Sequence, residues 1–209
     1  TPKVQSALLE AMQEKQVTIG RETIKLPYPF FVMANSNPIE TEGVFVLPEA
    51  QLDRFLFKLI MTYPSMEEEK LILKKNVTLN KFEDFNIKPI LNAEEIIKMQ
   101  KFVKSIYCSE KVEQYIIHLV DATRYPHKYK LTNGKFIEGG CSPRATIGLY
   151  IAGKAEALLN GETFVTPQHI KNVAHDVLRH RILLNYEGEA ESINKDAIIS
   201  EILSKVPVP

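Results

Sequence analysis

The 209-residue sequence predicts an α/β unit followed by an all-helical unit. Between residues 3 and 61, segments with helical spacing of apolar residues alternate with short strand-like runs, which is the order typical of an α/β layer. From Ser65 onward, residues that favour helix N-caps introduce one amphipathic segment after another, as expected of a helical bundle. The polar stretch between residues 76 and 89 is the expected boundary, so we predict units at 1–75 and 76–209.

Composition indicates an ordinary globular protein and excludes several classes of function. Hydrophobic residues make up 44% of the chain and charged residues 25%, which suits a folded core under a mixed-charge surface. The 26 basic and 26 acidic residues cancel, so the chain lacks the positive charge of most nucleic-acid-binding proteins. No apolar run approaches the ~18 residues required to span a bilayer. We therefore expect a cytoplasmic protein that does not bind nucleic acid and does not insert directly into a membrane.

The spacing of cysteines and histidines argues against a metal centre and against a disulfide framework. Cys108 and Cys141 lie far apart and outside any Cys-x-x-Cys pattern. No two of the five histidines have the i, i+4 spacing, with a glutamate between, that marks a helical zinc site. Because the numbering begins at Thr1 rather than at a methionine, we interpret the chain as part of a longer protein.

The first unit is expected to begin with a helix and a β-hairpin. Residues 3–15 place their apolar side chains on one stripe, opposite charged side chains. Residues 16–19 and 23–26 alternate polar and apolar side chains on either side of a turn that contains Gly20. This pattern is typical of two short antiparallel strands.

Two uninterrupted apolar runs follow, and each predicts a strand buried on both faces. The first run covers residues 30–34 and the second residues 57–61. Between them, residues 47–55 predict a short helix with Pro48 and Glu49 in its first turn.

In the second unit, capping residues mark where helices begin. Two pairs have capping-box spacing, and two hydroxyl residues precede a proline at the first helical position. They are Ser65 with Glu68, Asn92 with Glu95, Ser142 with Pro143, and Thr166 with Pro167.

The first candidate for ligand binding is Asn37, at the carboxyl end of the first apolar run. Open α/β sheets bind their ligands at this edge, although the pair Asn37-Pro38 taken alone favours a simple turn. The second candidate is Arg54, which follows Asp53 inside the otherwise apolar segment of residues 52–57 and needs an anionic partner. A phosphate would satisfy it, but a carboxylate such as Asp53 is the interpretation that the local sequence favours.

The third candidate is Arg144, which would lie in the first turn of a helix capped by Ser142. The helix dipole disfavours a cation there by ~0.3–1 kcal/mol. An anion held jointly by Arg144 and the free N–H groups of the helix start would offset this cost. A nearby carboxylate would do so equally well.

Two motif-like segments are predicted to be coincidental. Gly148–Lys154 matches the phosphate-loop pattern Gly-x4-Gly-Lys, but Ala155 replaces the expected Ser or Thr and no strand precedes it. Ile116–Asp121 imitates the end of a Mg²⁺-binding strand, but its apolar spacing is helical and Ala122 stands where a catalytic glutamate would be.

Several long motifs occur in order along nearly the whole chain. They are KVQSALLEAMQEKQVTIG (3–20), PFFVMANSNPIE (29–40), EGVFVLPEAQLDRF (42–55), GCSPRA (140–145) and DVLRHRILLNYE (176–187). Together they closely resemble the MoxR family of AAA+ ATPases, and the last two resemble that family's lid. The resemblance implies a partial AAA+ αβα core with a β-hairpin insertion, followed by an all-α lid domain.

The resemblance also implies roles for the three candidates. Asn37 matches the sensor 1 asparagine, which helps to orient the attacking water. Arg54 matches the arginine finger, which stabilises transition-state charge in a neighbouring subunit's site. Arg144 matches the sensor 2 arginine, which faces the phosphates. The implied cofactors are ATP and Mg²⁺. The implied assembly is a homo-oligomeric, hexameric ring that remodels other protein complexes in the manner of a chaperone.

The sequence departs from the family pattern in one respect. It contains neither the Gly-x4-Gly-Lys-Ser/Thr loop at a strand–helix junction nor the Asp-Glu pair that the family places upstream of Lys3. Phosphate positioning and water activation depend on those residues, so we expect the chain alone to be inactive. A noncatalytic interaction module with vestigial sensors and a magnesium-chelatase-like AAA+ subunit stay open as alternatives. A nucleic-acid motor is disfavoured by the balanced charge.

Overall fold

The computed structural model describes residues 2–36, 47–75 and 85–209. In chain order, the helices and strands are α1 (Pro2–Glu14), β1 (Gln16–Ile19), β2 (Glu22–Lys25), α2 (Glu49–Leu52), α3 (Met66–Lys75), α4 (Ala93–Ser105), α5 (Glu110–Arg124), β3 (Ile137–Gly139), α6 (Pro143–Leu159), α7 (Pro167–Leu178), β4 (Leu183–Leu184), α8 (Tyr186–Ala190) and α9 (Lys195–Lys205). Of the predicted boundary at 76–89, residues 76–84 lie outside the described ranges.

The amino-terminal helix and hairpin form as the sequence predicts. β1 follows α1 directly and pairs antiparallel with β2, with Gln16 opposite Lys25. Gly20 in the connecting turn has a φ of 65°, a conformation that glycine adopts without steric cost. The Thr18 hydroxyl donates to Glu10 Oε1 at 2.7 Å, which joins the hairpin to α1.

The two apolar runs do not form the buried strands that the sequence predicts. Residues 30–34 form no strand, and Phe31 and Met33 are 83% and 85% exposed. Residues 57–61 also lack strand pairing and are exposed. A strand is stabilised by hydrogen bonds to neighbouring strands, and the sheets within the described ranges are the two-stranded pairs β1–β2 and β3–β4. The hydrophobicity of these runs predicts that they are buried in a sheet, but the described residues contain no strand that pairs with them.

The carboxyl-terminal part of the chain is the helical bundle that the sequence predicts. Its core lies between α5, α6, α7 and α9. Gly153 allows α6 to approach α7 closely, because a Cβ there would lie 2.3 Å from Ile170 Cδ1. The largest fully buried side chains of the core include Tyr115, Ile116, Leu119, Leu149, Ile170, Leu178, Ile198 and Ile202.

Hydrogen bonds confirm the predicted helix starts. At α4, Asn92 Oδ1 accepts from the Glu95 N–H at 2.9 Å, and Glu95 Oε2 accepts from the Asn92 N–H at 2.8 Å. Ser65 and Thr166 cap α3 and α7 with the same reciprocal pair of hydrogen bonds. At α6 only the side chain of Ser142 caps the helix, because its hydroxyl accepts from the Arg144 N–H. The cap of α6 fixes where that helix begins and so sets the position of its first-turn side chains.

Both motif-like segments lie inside helices, as predicted. The Gly-x4-Gly-Lys match at 148–154 falls within α6, and residues 116–121 fall within α5. The ammonium of Lys154 donates to the Lys104 carbonyl near the end of α4 at 3.0 Å. Its charge therefore joins two helices instead of binding a phosphate.

Candidate functional site

Arg54 and Arg144, two of the three predicted site residues, line one cavity where α2 meets the helical bundle. The cavity has a volume of about 170 Å³, and a third arginine, Arg181, also lines it. Ile147 and Ile151 of α6 contribute apolar surface. The third predicted residue, Asn37, lies outside the described residues. The structure therefore brings together two arginines that are 90 positions apart in sequence.

Arg54 follows the short helix α2, which forms where the sequence predicts a helix at 47–55 but is shorter. Its N–H donates to the Gln51 carbonyl at 3.2 Å, and its Nε donates to the Ala50 carbonyl at 3.3 Å. Within the described part of the chain, no ion pair joins Arg54 to a carboxylate, and the adjacent Asp53 faces other partners. The terminal nitrogens of Arg54 are thus left for a ligand on the cavity side.

Arg144 lies in the first turn of α6, as predicted, and its N–H donates to the capping Ser142 Oγ at 3.1 Å. Its Nη1 donates to Asp53 Oδ2 at 3.2 Å, and the side chain is 47% exposed. The carboxylate alternative from the sequence is therefore the arrangement observed. A single hydrogen bond uses one of five guanidinium donors, so Arg144 retains donors for an additional anion.

Asp53 connects the end of α2 to the bundle. Its carboxylate accepts from Ser142 Oγ at 2.8 Å, from Arg144 Nη1 at 3.2 Å and from Arg181 Nε at 3.0 Å. Partial burial by itself would raise the pKa of Asp53, but Ser142, Arg144 and Arg181 together hold that pKa below its usual value. The carboxylate stays ionised at neutral pH and keeps the three partners in place.

Arg181 is the site residue that sequence reasoning missed. Its side chain is 2% exposed and lies between Asp53 and the end of α7. The signal in the sequence was the run Arg179-His180-Arg181 between the apolar residues Leu178 and Ile182. Three consecutive basic residues in a segment that must be buried require acceptors elsewhere in the fold.

The two residues before Arg181 hold the same segment of chain after α2. His180 Nε2 lies 3.0 Å from the Phe55 carbonyl, and Arg179 Nη1 donates to the Lys58 carbonyl at 2.5 Å. Burial, with the adjacent Arg181 charge, lowers the pKa of His180 to about 4. His180 is therefore neutral at pH 7, and Arg179 and Arg181 carry the charge of this run.

The chemistry that the cavity supports is anion binding. Three guanidinium groups and one carboxylate line it, so positive charge is in excess. Within residues 2–36, 47–75 and 85–209, no group of three His, Cys, Asp or Glu side chains is placed to hold a metal ion. This part of the chain therefore presents guanidinium groups, whose charge suits an anion, and no cluster of metal-ligating side chains. Over the same ranges, no helix is long and apolar enough to cross a membrane.

Two family models match the chain. Residues 1–57 match a model described as the ATPase family associated with various cellular activities (AAA). Residues 131–202 match a model described as the AAA lid domain. Arg54 falls in the first match and Arg144 in the second, so the cavity lies where the two matched regions meet.

Relatives and a solved structure agree with these matches. The chain is 42% identical over 209 residues to Chaperone MoxR1 of Mycobacterium tuberculosis and, over the same length, 42% identical to the uncharacterized YeaC of Bacillus subtilis. These alignments cover 99% and 100% of the chain but 54% and 62% of the two relatives. The chain thus spans between half and two thirds of their length.

A solved structure from Cytophaga hutchinsonii, provisionally described as an ATPase, superposes with a TM-score of 0.91 at 44% identity. The superposition covers 100% of this chain and 63% of the solved structure. The predicted fold class, a partial AAA+ core followed by a helical lid, is confirmed by this similarity and by the two family models. The chain belongs to the MoxR family of AAA+ ATPases.

Proposed function

We propose that the complete protein containing this chain hydrolyses ATP at the subunit interfaces of a homo-oligomeric ring. The observation that carries this proposal is the placement of Arg54 and Arg144 on one cavity, both with guanidinium donors left over. Guanidinium groups match phosphate oxygens in bidentate geometry, so a nucleotide polyphosphate suits the cavity.

Each arginine has a distinct role in this proposal. Arg54 is the arginine finger and stabilises the charge that develops on the transferred phosphoryl group. Arg144 is the sensor 2 arginine and holds phosphate oxygens in the bound state. Because both line one cavity, both serve the same nucleotide, which the neighbouring subunit binds. Asn37, outside the described residues, orients the attacking water, and ATP enters as its Mg²⁺ complex.

The ring is a cytoplasmic hexamer that uses hydrolysis to remodel other proteins. The name of the Mycobacterium tuberculosis relative, a chaperone, supports this reading. The β1–β2 hairpin projects apolar side chains, with Ile19 65% and Ile24 51% exposed. An exposed apolar hairpin is suited to contact a client polypeptide.

The chain of 209 residues is expected to be inactive without the rest of the nucleotide site. Its only Gly-x4-Gly-Lys sequence is buried in α6 and cannot wrap a phosphate. Calorimetry with Mg²⁺-ATP on the isolated chain should therefore give no binding in the micromolar range. Micromolar affinity would contradict this part of the proposal.

The arginine roles are tested by ATP turnover of the complete protein. Arg54→Ala should lower kcat by about 10³-fold with little change in KM, since the finger acts in the transition state. Arg144→Ala should raise KM as well, because it removes a contact made in the bound state. Arg21→Ala, which removes an exposed arginine from the hairpin, is the control and should leave both constants unchanged. Full activity of Arg54→Ala would reject the finger assignment.

A further inference from the structure

Arg181 uses every hydrogen-bond donor that its side chain has. Nε donates to Asp53 Oδ1 at 3.0 Å, and Nη2 donates to the carbonyls of Asp53 and Phe55 at 3.0 and 2.6 Å. Nη1 donates to the Leu56 carbonyl at 3.2 Å and to the Val177 carbonyl. An arginine has five N–H donors, so the guanidinium is saturated.

The acceptors of Arg181 lie on both sides of Arg54. Asp53 precedes Arg54 in the chain, and Phe55 and Leu56 follow it. The Arg181 guanidinium therefore donates hydrogen bonds to the backbone immediately before and after Arg54, the proposed arginine finger. No rotation of this segment can occur without breaking several hydrogen bonds of a buried charge, which is costly.

The contrast with Arg144 separates two kinds of arginine at this cavity. Arg144 is half exposed and makes one side-chain hydrogen bond, so it is free to add a ligand. Arg181 is buried, and its donors are all occupied by the protein, so it has none to offer a phosphate. A charge arranged in this way acts on its neighbours and does not contact the ligand.

We propose that Arg181 is a positioning residue for Arg54. It fixes the segment of residues 53–56 to the end of α7, so that the Arg54 side chain projects into the cavity from one fixed backbone position. The inference deepens the proposed function and rests on it, since it concerns the residue assigned there as the finger. It also implies that a displacement of α7 moves Arg54, which couples the lid to hydrolysis at the interface.

The first test needs no nucleotide and uses the 209-residue chain. Arg181→Lys keeps the positive charge beside Asp53 but can make at most three of the five hydrogen bonds. Amide hydrogen exchange of Arg54 and Phe55, whose N–H groups bond within the last turn of α2, should become at least tenfold faster. Arg179→Lys is the matched control, because Arg179 bonds the Lys58 carbonyl and leaves residues 53–56 untouched. Unchanged exchange in Arg181→Lys would overturn the inference.

The second test is a double-mutant cycle on ATP turnover of the complete protein. Arg181→Lys should lower kcat by about 10- to 100-fold with KM unchanged, because a small displacement of a catalytic group costs that much. In an Arg54→Ala background the same substitution should have no further effect, since there is no finger left to position. An equal loss in both backgrounds would mean that Arg181 acts on general stability, and the inference would fail.

Two further outcomes are distinguishable. If Arg54→Ala alone keeps full turnover, the finger assignment fails, and that result does not involve residue 181. If Arg181→Lys does not fold, the unmodified chain still provides a test by NMR. The Nε–H of Arg181 should then exchange at least tenfold more slowly than the Nε–H of Arg144, which bonds no acceptor within the described residues. Equal exchange rates would overturn the inference.

Discussion

His180 should make the stability of the bundle depend on pH between 7 and 5. The Phe55 carbonyl 3.0 Å away can only accept, so His180 Nε2 must carry a hydrogen. Nδ1 is buried and has no partner in the described part of the chain. Protonation would thus create a buried N–H without an acceptor, next to the Arg181 charge. Burial, together with Arg181, lowers the pKa of His180 to about 4, and Lys58 acts in the same direction while Asp53 opposes it.

The sign and size of the effect follow from this pKa. The ordinary pKa is 6.5, and the folded value is about 4. Between these values the unfolded chain binds a proton that the folded protein does not, so stability falls as the pH falls below 6.5. The loss is complete once the pH passes below the folded pKa. Between pH 7 and pH 5 it amounts to about 2 kcal/mol.

The assay is urea unfolding at pH 7 and pH 5, followed by circular dichroism. His180→Gln is the matched variant, because its amide N–H reaches toward the same carbonyl and does not titrate. The unfolding free energy of the unmodified chain should drop by about 2 kcal/mol more than that of His180→Gln between the two pH values. Equal drops in the two proteins would refute the assignment of His180 as a buried neutral group.

Two further predictions concern the packing of the bundle. Gly140→Ala should lower the unfolding free energy by more than about 2 kcal/mol. A Cβ at Gly140 would lie 2.6 Å from the Thr123 carbonyl oxygen, a backbone atom that cannot rotate away. A thermal melt unchanged from that of the parent chain would contradict this prediction. Cys141 is buried, and burial raises its pKa to about 11, so a thiol reagent at pH 8 should label the part-exposed Cys108 first and Cys141 only when the chain unfolds. Equal labelling rates in the folded protein would be the contrary result.

The features that could be predicted from sequence are those encoded locally. The capping box of Asn92 and Glu95 lies within one turn, so the helix start can be identified without knowledge of the fold. The same holds for the hairpin around Gly20 and for the first-turn position of Arg144. The apolar runs at 30–34 and 57–61 misled the prediction because hydrophobicity indicates a need for burial and does not identify the partner strand.

The hydrogen bonds that hold Arg181 at the cavity could not be predicted from the sequence, for a physical reason. Four of the five acceptors of Arg181 are backbone carbonyls, three of them more than 120 positions away. Every residue type carries a carbonyl, so such contacts leave no trace in the identity of the partner residues. Asp53 forms an ion pair with Arg144 and not with its neighbour Arg54. This pairing likewise depends on how α2 packs against α6.

The central claim, that the proposed catalytic residues meet across a subunit interface, is tested most directly by mixing two inactive variants of the complete protein. Asn37→Ala and Arg54→Ala should each abolish ATP turnover alone. In an equimolar mixed ring, about one quarter of the interfaces should pair an intact Asn37 with an intact Arg54 from the neighbouring subunit, so turnover should recover to about that fraction. If the mixture stays as inactive as its components, although mixed rings form, Arg54 does not serve a neighbouring site.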